Sequence, residues 1–398
     1  MSAISGHNKK IKVAHVITRM IIGGAQENTL YTVQGLAKMP QYDVDLISGP
    51  TYGPEGALTS QHPDHDYDVK IIPSLKRNLN PFLDIIAFFH LFITFMKGRY
   101  HIVHTHSAKA GILGRLAAKC AGVPIIVHTI HGLSFHPYQE NWLNYIYIKL
   151  EKIVAFWTSK LIVVCDRMCV QSVKVGIAPK NKYVKIYSGI DVEDFYRIRI
   201  PQEELLRQLN IEPDKVIIGK VARLFPLKGH IYLLKAVRSL IRDFPNLRLV
   251  LVGDGILKEH LMRESVRYGI QEYVRFVGLV PPEEISSYLS IMNIVVHVSL
   301  REGLARVIPQ AMLLKKPVVA FNLDGAPELI FDGKTGCLVK PESLTGLNSA
   351  LAYLLKNPSQ AKHMGSMAKD MVEPKFSHLT MVKKIDDVYN DLIKEEKI

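Results

Sequence analysis

The sequence predicts an α/β protein built from two doubly wound domains in succession. Its 398 residues exceed one ordinary domain and suit two. Short β-branched runs alternate with helical patterns along the whole chain, which implies parallel sheets covered by helices on both faces. The alternation starts afresh after about residue 200, and no short fixed period underlies it, so a solenoid is excluded.

Taken in order, Ile11–Ile17 reads as a buried strand, followed by a glycine turn and a helix over Gln26–Lys38. Asp43–Ile47 and His101–His104 are further strands, then come a helix over Ala108–Ala121 and strands at Ile125–His128, Leu161–Val164 and Val184–Tyr187. The second array runs through strands Val216–Val221, Leu247–Val252, Val274–Val277, Ile294–Val298 and Pro317–Phe321. Helices are expected over Gly229–Asp243, Ala305–Leu314 and, at the end of the chain, His378–Lys394. Ser188-Gly-Ile-Asp191 breaks the pattern and Pro201 opens a new acidic helix start, which places the boundary near Asp191–Pro201. The domains are thus read as 1–195 and 196–375, with 376–398 a terminal helical segment.

Composition narrows the function. With 48% hydrophobic and 22% charged residues the chain can bury a full core, which excludes disordered, collagen-like and disulfide-stapled classes. The net charge of +13 is uneven: residues 1–190 carry 21 Lys/Arg against 11 Asp/Glu, residues 191–398 carry 29 against 26. Such an excess favours a phosphorylated or anionic partner. The basic residues form no run interleaved with aromatics, so nucleic acid is not expected. Four cysteines make no disulfide framework and point to a reducing compartment. Cys165 and Cys169 have neither redox-pair nor zinc-knuckle spacing and read as small apolar residues. The first residues show no basic segment followed by a long apolar one, so no secretory leader is expected. The most apolar stretch, Pro81–Met96, falls short of the roughly 20 residues of a spanning helix and contains Asp84 and His90. It is expected to be a well-buried helix on one face of a sheet. The alternative is a helix lying in a membrane interface, flanked by Lys97 and Arg99.

In doubly wound domains ligands bind beyond the carboxyl ends of the strands, so the motifs there carry the chemistry. The first strand ends at Gly23-Gly24, where backbone and helix N–H groups can approach an anion. The turn is not GxGxxG and no acidic residue follows in the dinucleotide pattern, which disfavours NAD. Five histidines, His104, His106, His128, His131 and His136, cluster on two adjacent strand termini. No carboxylate or cysteine completes a ligand set, so metal is not expected there. His131, beside Gly132, is the one assigned to substrate. Asp64-His-Asp66-Tyr-Asp68 resembles a carboxylate metal cluster but reads as solvated loop charge. In the second array Arg223 and Lys228 converge on one strand-to-helix turn, the arrangement of a diphosphate clamp. The strongest signal is Arg301-Glu302-Gly303-Leu304-Ala305 running into a helix that bears Gln310. Glu302 can accept from sugar hydroxyls, the N–H groups of Leu304 and Ala305 can hold phosphate, and Gln310 can bond another hydroxyl.

Together the Gly23-Gly24 loop, His104-Thr-His106-Ser-Ala-Lys109, His131-Gly132, Ser188-Gly-Ile-Asp191, the Arg223/Lys228 pair and the segment from Glu302 to Gln310 resemble a family 4 retaining glycosyltransferase. The resemblance implies a GT-B architecture: two Rossmann-like domains facing a central cleft, with the C-terminal helix packing back on the N-terminal domain. It implies a nucleotide-sugar donor held by the second domain and a glycan or polyprenyl-linked acceptor held by the first. UDP is the favoured nucleotide and an N-acetylhexosamine the suggested sugar. Arg223 and Lys228 would bind the donor diphosphate and Glu302 the sugar hydroxyls. His131 would approach the C6 region of the sugar, Gly23 and Gly24 would lie against phosphate or acceptor, and the base would pack near Leu279 and Val280. Gln310 stands where the family's E-x7-E motif has its second Glu, the residue that binds ribose. No metal or other cofactor is implied, because the cations neutralise the leaving diphosphate. The basic first domain suits docking on an anionic cytoplasmic leaflet, so a cytoplasmic protein, peripheral on the inner membrane and serving lipopolysaccharide or capsule synthesis, is expected. A nucleotide-sugar epimerase on a similar fold, or a non-catalytic nucleotide-sugar-binding subunit, are the alternatives.

Overall fold

The computed structural model describes residues 10–51, 58 and 66–398. The chain divides into two compact units, one containing residues up to Gly189 together with His378–Ile398, the other Ile190–Ser377. The crossings therefore fall at 189/190 and 377/378, against the 195/196 and 375/376 read from the sequence. The local bonding explains the difference. Ile190 pairs with Ser377 and its N–H donates to Phe376 O. Asp191 caps the short Val192–Phe195 helix, and the Tyr196 hydroxyl donates to Glu373 Oε1 at 2.5 Å. Residues 190–196 are thus tied into the second unit.

The first unit's sheet is built from β1 (Ile11–Ile17), β2 (Tyr42–Ser48), β3 (Asp68–Ile71), β4 (Ile102–His106), β5 (Ile125–Ile130), β6 (Lys160–Val163) and β7 (Tyr183–Lys185). They lie in the order β3-β2-β1-β4-β5-β6-β7, and every pairing is parallel. The inner strands β1, β4 and β5 are buried on both faces, as expected when both are covered. On one face the Gly24–Ala37 helix and the C-terminal His378–Glu396 helix share a core with Leu30, Val33, Leu36, Val382, Ile385 and Tyr389. On the other, the Pro81–Gly98 and Ala108–Cys120 helices bury Ala87, Leu91, Phe95, Ala110 and Ala117. The Asn141–Trp157 helix packs beside Ala108–Cys120, fixed by the buried Arg115–Glu151 ion pair at 2.7 Å.

The Pro81–Gly98 helix is not the buried element expected. Asn80 caps it and Pro81 opens it, and an Asp84–Lys109 ion pair at 2.5 Å ties it to the neighbouring helix. Only its Ala87, Leu91 and Phe95 are buried. Phe82, Ile85, Phe89, Ile93 and Met96 face outward, Phe82 being 72% exposed. Among the described residues of the unit, none covers them. A second outward stripe, Trp142, Tyr145, Ile146, Leu150, Ile153 and Phe156, runs along Asn141–Trp157, with Phe156 77% exposed.

The second unit contains β8 (Val216–Val221), β9 (Leu247–Val252), β10 (Val274–Gly278), β11 (Ile294–His297), β12 (Val318–Phe321) and β13 (Gly336–Val339). Their order is β10-β9-β8-β11-β12-β13, again all parallel. In both sheets the order reverses once, between β1 and β4 and between β8 and β11. These are the topological switch points where crevices open at the carboxyl edge.

Candidate active site

At the second unit's switch point the loops after β8 and β11 are stitched together. The Leu300 N–H donates to Leu227 O at 2.7 Å. Gly229 makes this approach possible: its φ is 75° and an added Cβ would sit 1.8 Å from Val298 O, so no other residue fits. Gly229 also caps the His230–Leu240 helix, leaving Lys228 at the mouth of the turn. The result is an ion pair between Lys228 Nζ and Glu302 Oε1, with both side chains largely buried. The loop after β12 closes on it from the other side. Asp324, in the left-handed region at φ 51°, accepts from the Glu302 N–H at 2.7 Å, and the Gly325 N–H donates to Gly303 O at 3.0 Å.

Beneath this pair lie two groups that sequence reasoning passed over. Lys220, inside β8, is fully buried, and its Nζ has no hydrogen-bond partner among the described residues. Burial, then the neighbouring Lys228, push its pKa down to about 7 against a smaller pull from Glu302. His297, the last residue of β11, is pushed down to about 3 by burial and by Lys220. Burial alone would raise Glu302, but Lys228, His297 and Lys220 outweigh it and hold the carboxylate below its usual range. Glu302 is therefore a committed anion in a cationic setting. The signal for Lys220 was a lone cation inside an apolar strand, Val-Ile-Ile-Gly-Lys-Val.

The other assigned residues of this unit take the following places. Arg223 is exposed on the loop after β8, its guanidinium stacked 5.1 Å from the Phe225 ring centre. The helix expected from Ala305 begins at Val307, because the turn at 303–306 is held by Gly325 and by the Ile308 N–H donating to Ala305 O. Leu304 and Ala305 thus lie in the turn before the helix, and the Leu304 side chain is buried, so only its backbone could meet a ligand. Gln310 is half-buried between buried Pro309 and Ala311. Val280 is buried and Leu279 exposed just after β10.

In the first unit Gly23 caps the Gly24–Ala37 helix at the end of β1, and the Glu27 N–H donates to its carbonyl. Gly23 has an extended backbone, φ 170°, so its use lies in the missing side chain. His131 follows β5 and is half-buried, and its Nε2 lies 3.1 Å from His106 Nδ1. An added Cβ at Gly132 would meet no atom within 4 Å. Of the acidic loop cluster, Asp64 and His65 lie outside the described residues, Asp66 is exposed and Asp68 opens β3. Cys165 is buried and Cys169 partly buried, and neither is in a disulfide.

Comparison with known proteins bears on the family and the fold. The chain matches the models of Glycosyltransferase Family 4 over residues 22–194 and of glycosyl transferases group 1 over residues 201–371. It is 28% identical over 394 residues to the UDP-Gal:alpha-D-GlcNAc-diphosphoundecaprenol alpha-1,3-galactosyltransferase of Escherichia coli, covering 97% of this chain and 98% of that one. It is 24% identical to the capsular polysaccharide biosynthesis glycosyltransferase CapM of Staphylococcus aureus, covering 84% and 88%. The crystal structure of Anabaena Alr3699/HepE in complex with UDP-glucose matches with a TM-score of 0.81 at 21% identity, over 96% of this chain and 100% of that one. That likeness speaks for the fold: two Rossmann-like domains of the GT-B type. The protein is a glycosyltransferase, and the chain belongs to glycosyltransferase family 4.

Proposed function

We propose that the protein transfers a sugar, with retention of anomeric configuration, from a UDP-sugar to a polyprenyl-diphosphate-linked acceptor in cell-surface polysaccharide assembly. The observation that carries this is the Lys228–Glu302 ion pair at the β8/β11 switch point, with exposed Arg223 on the same loop. A donor diphosphate competes for Lys228 and adds Arg223, two charge-assisted contacts on one anion. Glu302, released from Lys228, then accepts from hydroxyls of the transferred sugar. Gln310 bonds the ribose, the base lies along Leu279 and Val280, and the N–H groups of Leu304 and Ala305 face phosphate. As the glycosidic bond breaks, charge develops on the diphosphate, where the two cations stabilise it without a metal. The leaving diphosphate itself takes the acceptor proton, which delivers the acceptor to the same face.

The acceptor class rests on the first unit. Two outward apolar stripes, along the Pro81–Gly98 and Asn141–Trp157 helices, are the kind of exposed hydrophobic surface that marks an interaction site. Lys97, Arg99, Lys149 and Lys152 accompany them, and the first 190 residues carry the basic excess. This combination suits the anionic headgroup layer of the cytoplasmic leaflet, where a polyprenyl acceptor resides. The names of the E. coli and S. aureus relatives, with a diphosphoundecaprenol acceptor and a capsular polysaccharide, support the same class.

The test is transfer to a synthetic GlcNAc-diphosphoprenol from a panel including UDP-galactose, UDP-glucose and the UDP-N-acetylhexosamines. The expected result is one productive donor and an α-linked product, read from the anomeric coupling. A β-linked product contradicts retention. Conversion of the donor to its epimer without acceptor supports an epimerase instead, and UDP-sugar binding without turnover supports a non-catalytic subunit.

A further inference from the structure

The segment that leaves β3 crosses the carboxyl edge of the first sheet and is fastened to the loops on both sides of its switch point. The Ile72 N–H continues the ladder by donating to Ser48 O at 2.8 Å. Leu75 is then fully buried in the core under the Pro81–Gly98 helix. Its carbonyl lies against Gly49, where an added Cβ would stand 1.8 Å from Leu75 O and 2.5 Å from Thr18 O. Only glycine lets the loops after β1, β2 and β3 meet this closely. On the far side Lys109, in the first turn after β4, donates to Asn78 O at 2.5 Å and pairs with Asp84. Residues 75–78 are thereby held against the loops of both β1 and β4, the strands that flank the switch point.

Lys76, Arg77, Leu79 and Phe82 are what this fastening leaves outward. All four are exposed, Leu79 by 69% and Phe82 by 72%. Among the described residues neither Lys76 nor Arg77 has an ion pair or a side-chain hydrogen bond. Asp84, the next acidic residue along the chain, is committed to Lys109. Two uncompensated cations are therefore followed at once by the outward apolar stripe, which begins at Leu79 and Phe82 and continues through Ile85 and Phe89. A prenyl-linked acceptor has the same order, a diphosphate joined directly to isoprene units. Arginine meets a phosphate in bidentate fashion and lysine as a point charge. A nucleotide has no aliphatic chain to set against Leu79 and Phe82. The other cations beside this helix, Lys97 and Arg99, stand about 25 Å away at the far end of its 18 residues. They lie at the amino edge of the sheet, just before β4 begins. Ligands of doubly wound sheets bind at the carboxyl edge, which leaves Lys76 and Arg77.

We propose that Lys76 and Arg77 bind the diphosphate of the acceptor and that Leu79 and Phe82 receive its first isoprene units. The inference rests on the prenyl-diphosphate acceptor class given above and assigns that acceptor a site.

The experiment measures transfer by the full-length protein to three acceptors, first without vesicles and then in vesicles containing anionic lipid. They are GlcNAc-diphosphate on a geranyl chain, the same headgroup on a methyl group, and a phosphate-free geranyl GlcNAc glycoside. Lys76→Ala and Arg77→Ala should each raise KM for the geranyl diphosphate acceptor about tenfold, and the double variant about a hundredfold, as one and two charge-assisted contacts are lost. KM for the phosphate-free acceptor and the affinity for UDP should not move. Leu79→Ser with Phe82→Ser should raise KM for the geranyl diphosphate acceptor and leave that of the methyl one. All four side chains are exposed, so Tm should stay near that of the wild type. An unchanged KM in the double cation variant overturns the proposal, as does an equal rise for the phosphate-free acceptor. Equal changes for the geranyl and methyl acceptors in the Leu79/Phe82 variant overturn the chain contact. A defect confined to acceptor in vesicles assigns the two cations to membrane headgroups and overturns the site. If the wild type transfers to none of the three, the proposed function fails. Titration with geranyl diphosphate alone then decides the site: binding that the double cation variant loses upholds it, and no binding, or binding that the variant keeps, overturns it.

Discussion

Lys220 is a costly residue to keep: a buried ammonium with no hydrogen-bond partner among the described residues, in a strand whose neighbours are aliphatic. Its folded pKa of about 7 lies below the ordinary 10.5. Between those values the unfolded chain binds the extra proton, so folding stability rises with pH from about 7 to about 10.5 and is lowest below 7. Lys220→Met should therefore raise Tm most at pH 6–7, with the gain shrinking towards pH 10. A gain independent of pH would show that Lys220 stays charged when folded. The residue is tolerated, on this account, because it helps keep Glu302 ionised. The diphosphate clamp gives a second prediction. Arg223→Ala or Lys228→Ala should weaken UDP binding by about 1.5–3 kcal/mol, the scale of a charge-assisted hydrogen bond, as measured by titration calorimetry. Unchanged affinity in both folded variants would remove the clamp. Gln310→Ala should lower affinity for ribonucleotide but not deoxyribonucleotide donors, and an unaltered ratio would reduce Gln310 to a packing role.

At the scale of elements, the exposed helices are where sequence reasoning and structure part. The apolar residues of Pro81–Gly98 surround the axis, which the sequence alone cannot distinguish from a buried helix. Which side is covered depends on tertiary neighbours, here the Ala108–Cys120 helix, whose small Ala110 and Ala117 allow close packing on one side only. We predict that the protein binds vesicles containing anionic lipid and is released as salt rises, since exposed charges are screened within about 10 Å at 0.1 M. Phe82→Asp with Phe156→Asp should abolish binding while leaving Tm nearly unchanged, because both side chains are exposed. Equal binding to neutral vesicles would point to apolar contact alone, and no binding to either would remove the membrane face. The start of the Val307–Leu313 helix was likewise misplaced by two residues, because the clamp on Glu302 and Gly303 comes from Asp324 and Gly325, some twenty residues away.

Across the molecule, the alternation of apolar runs and helices revealed both parallel sheets, since each inner strand is buried on both faces and carries its own signature. Lys228 and Glu302 were legible individually as charged residues at strand ends. Their pairing was not, because it requires strands β8 and β11 to be adjacent, a property of sheet order rather than of local pattern. The histidine cluster was visible only as an excess of histidines at the ends of β4 and β5, since its members His15 and Tyr389 lie 374 positions apart. Glu302, as the group that orients the sugar, is the centre of the proposed site. The most direct measurement is transfer by Glu302→Gln at saturating donor. The shape is retained and Lys228 loses its competitor, so UDP should bind at least as well as to the wild type. Turnover should fall about 10²–10³-fold, as when one preorganised polar contact is lost from an active site. Near-wild-type turnover would show that Glu302 only steadies its loop and would contradict the site.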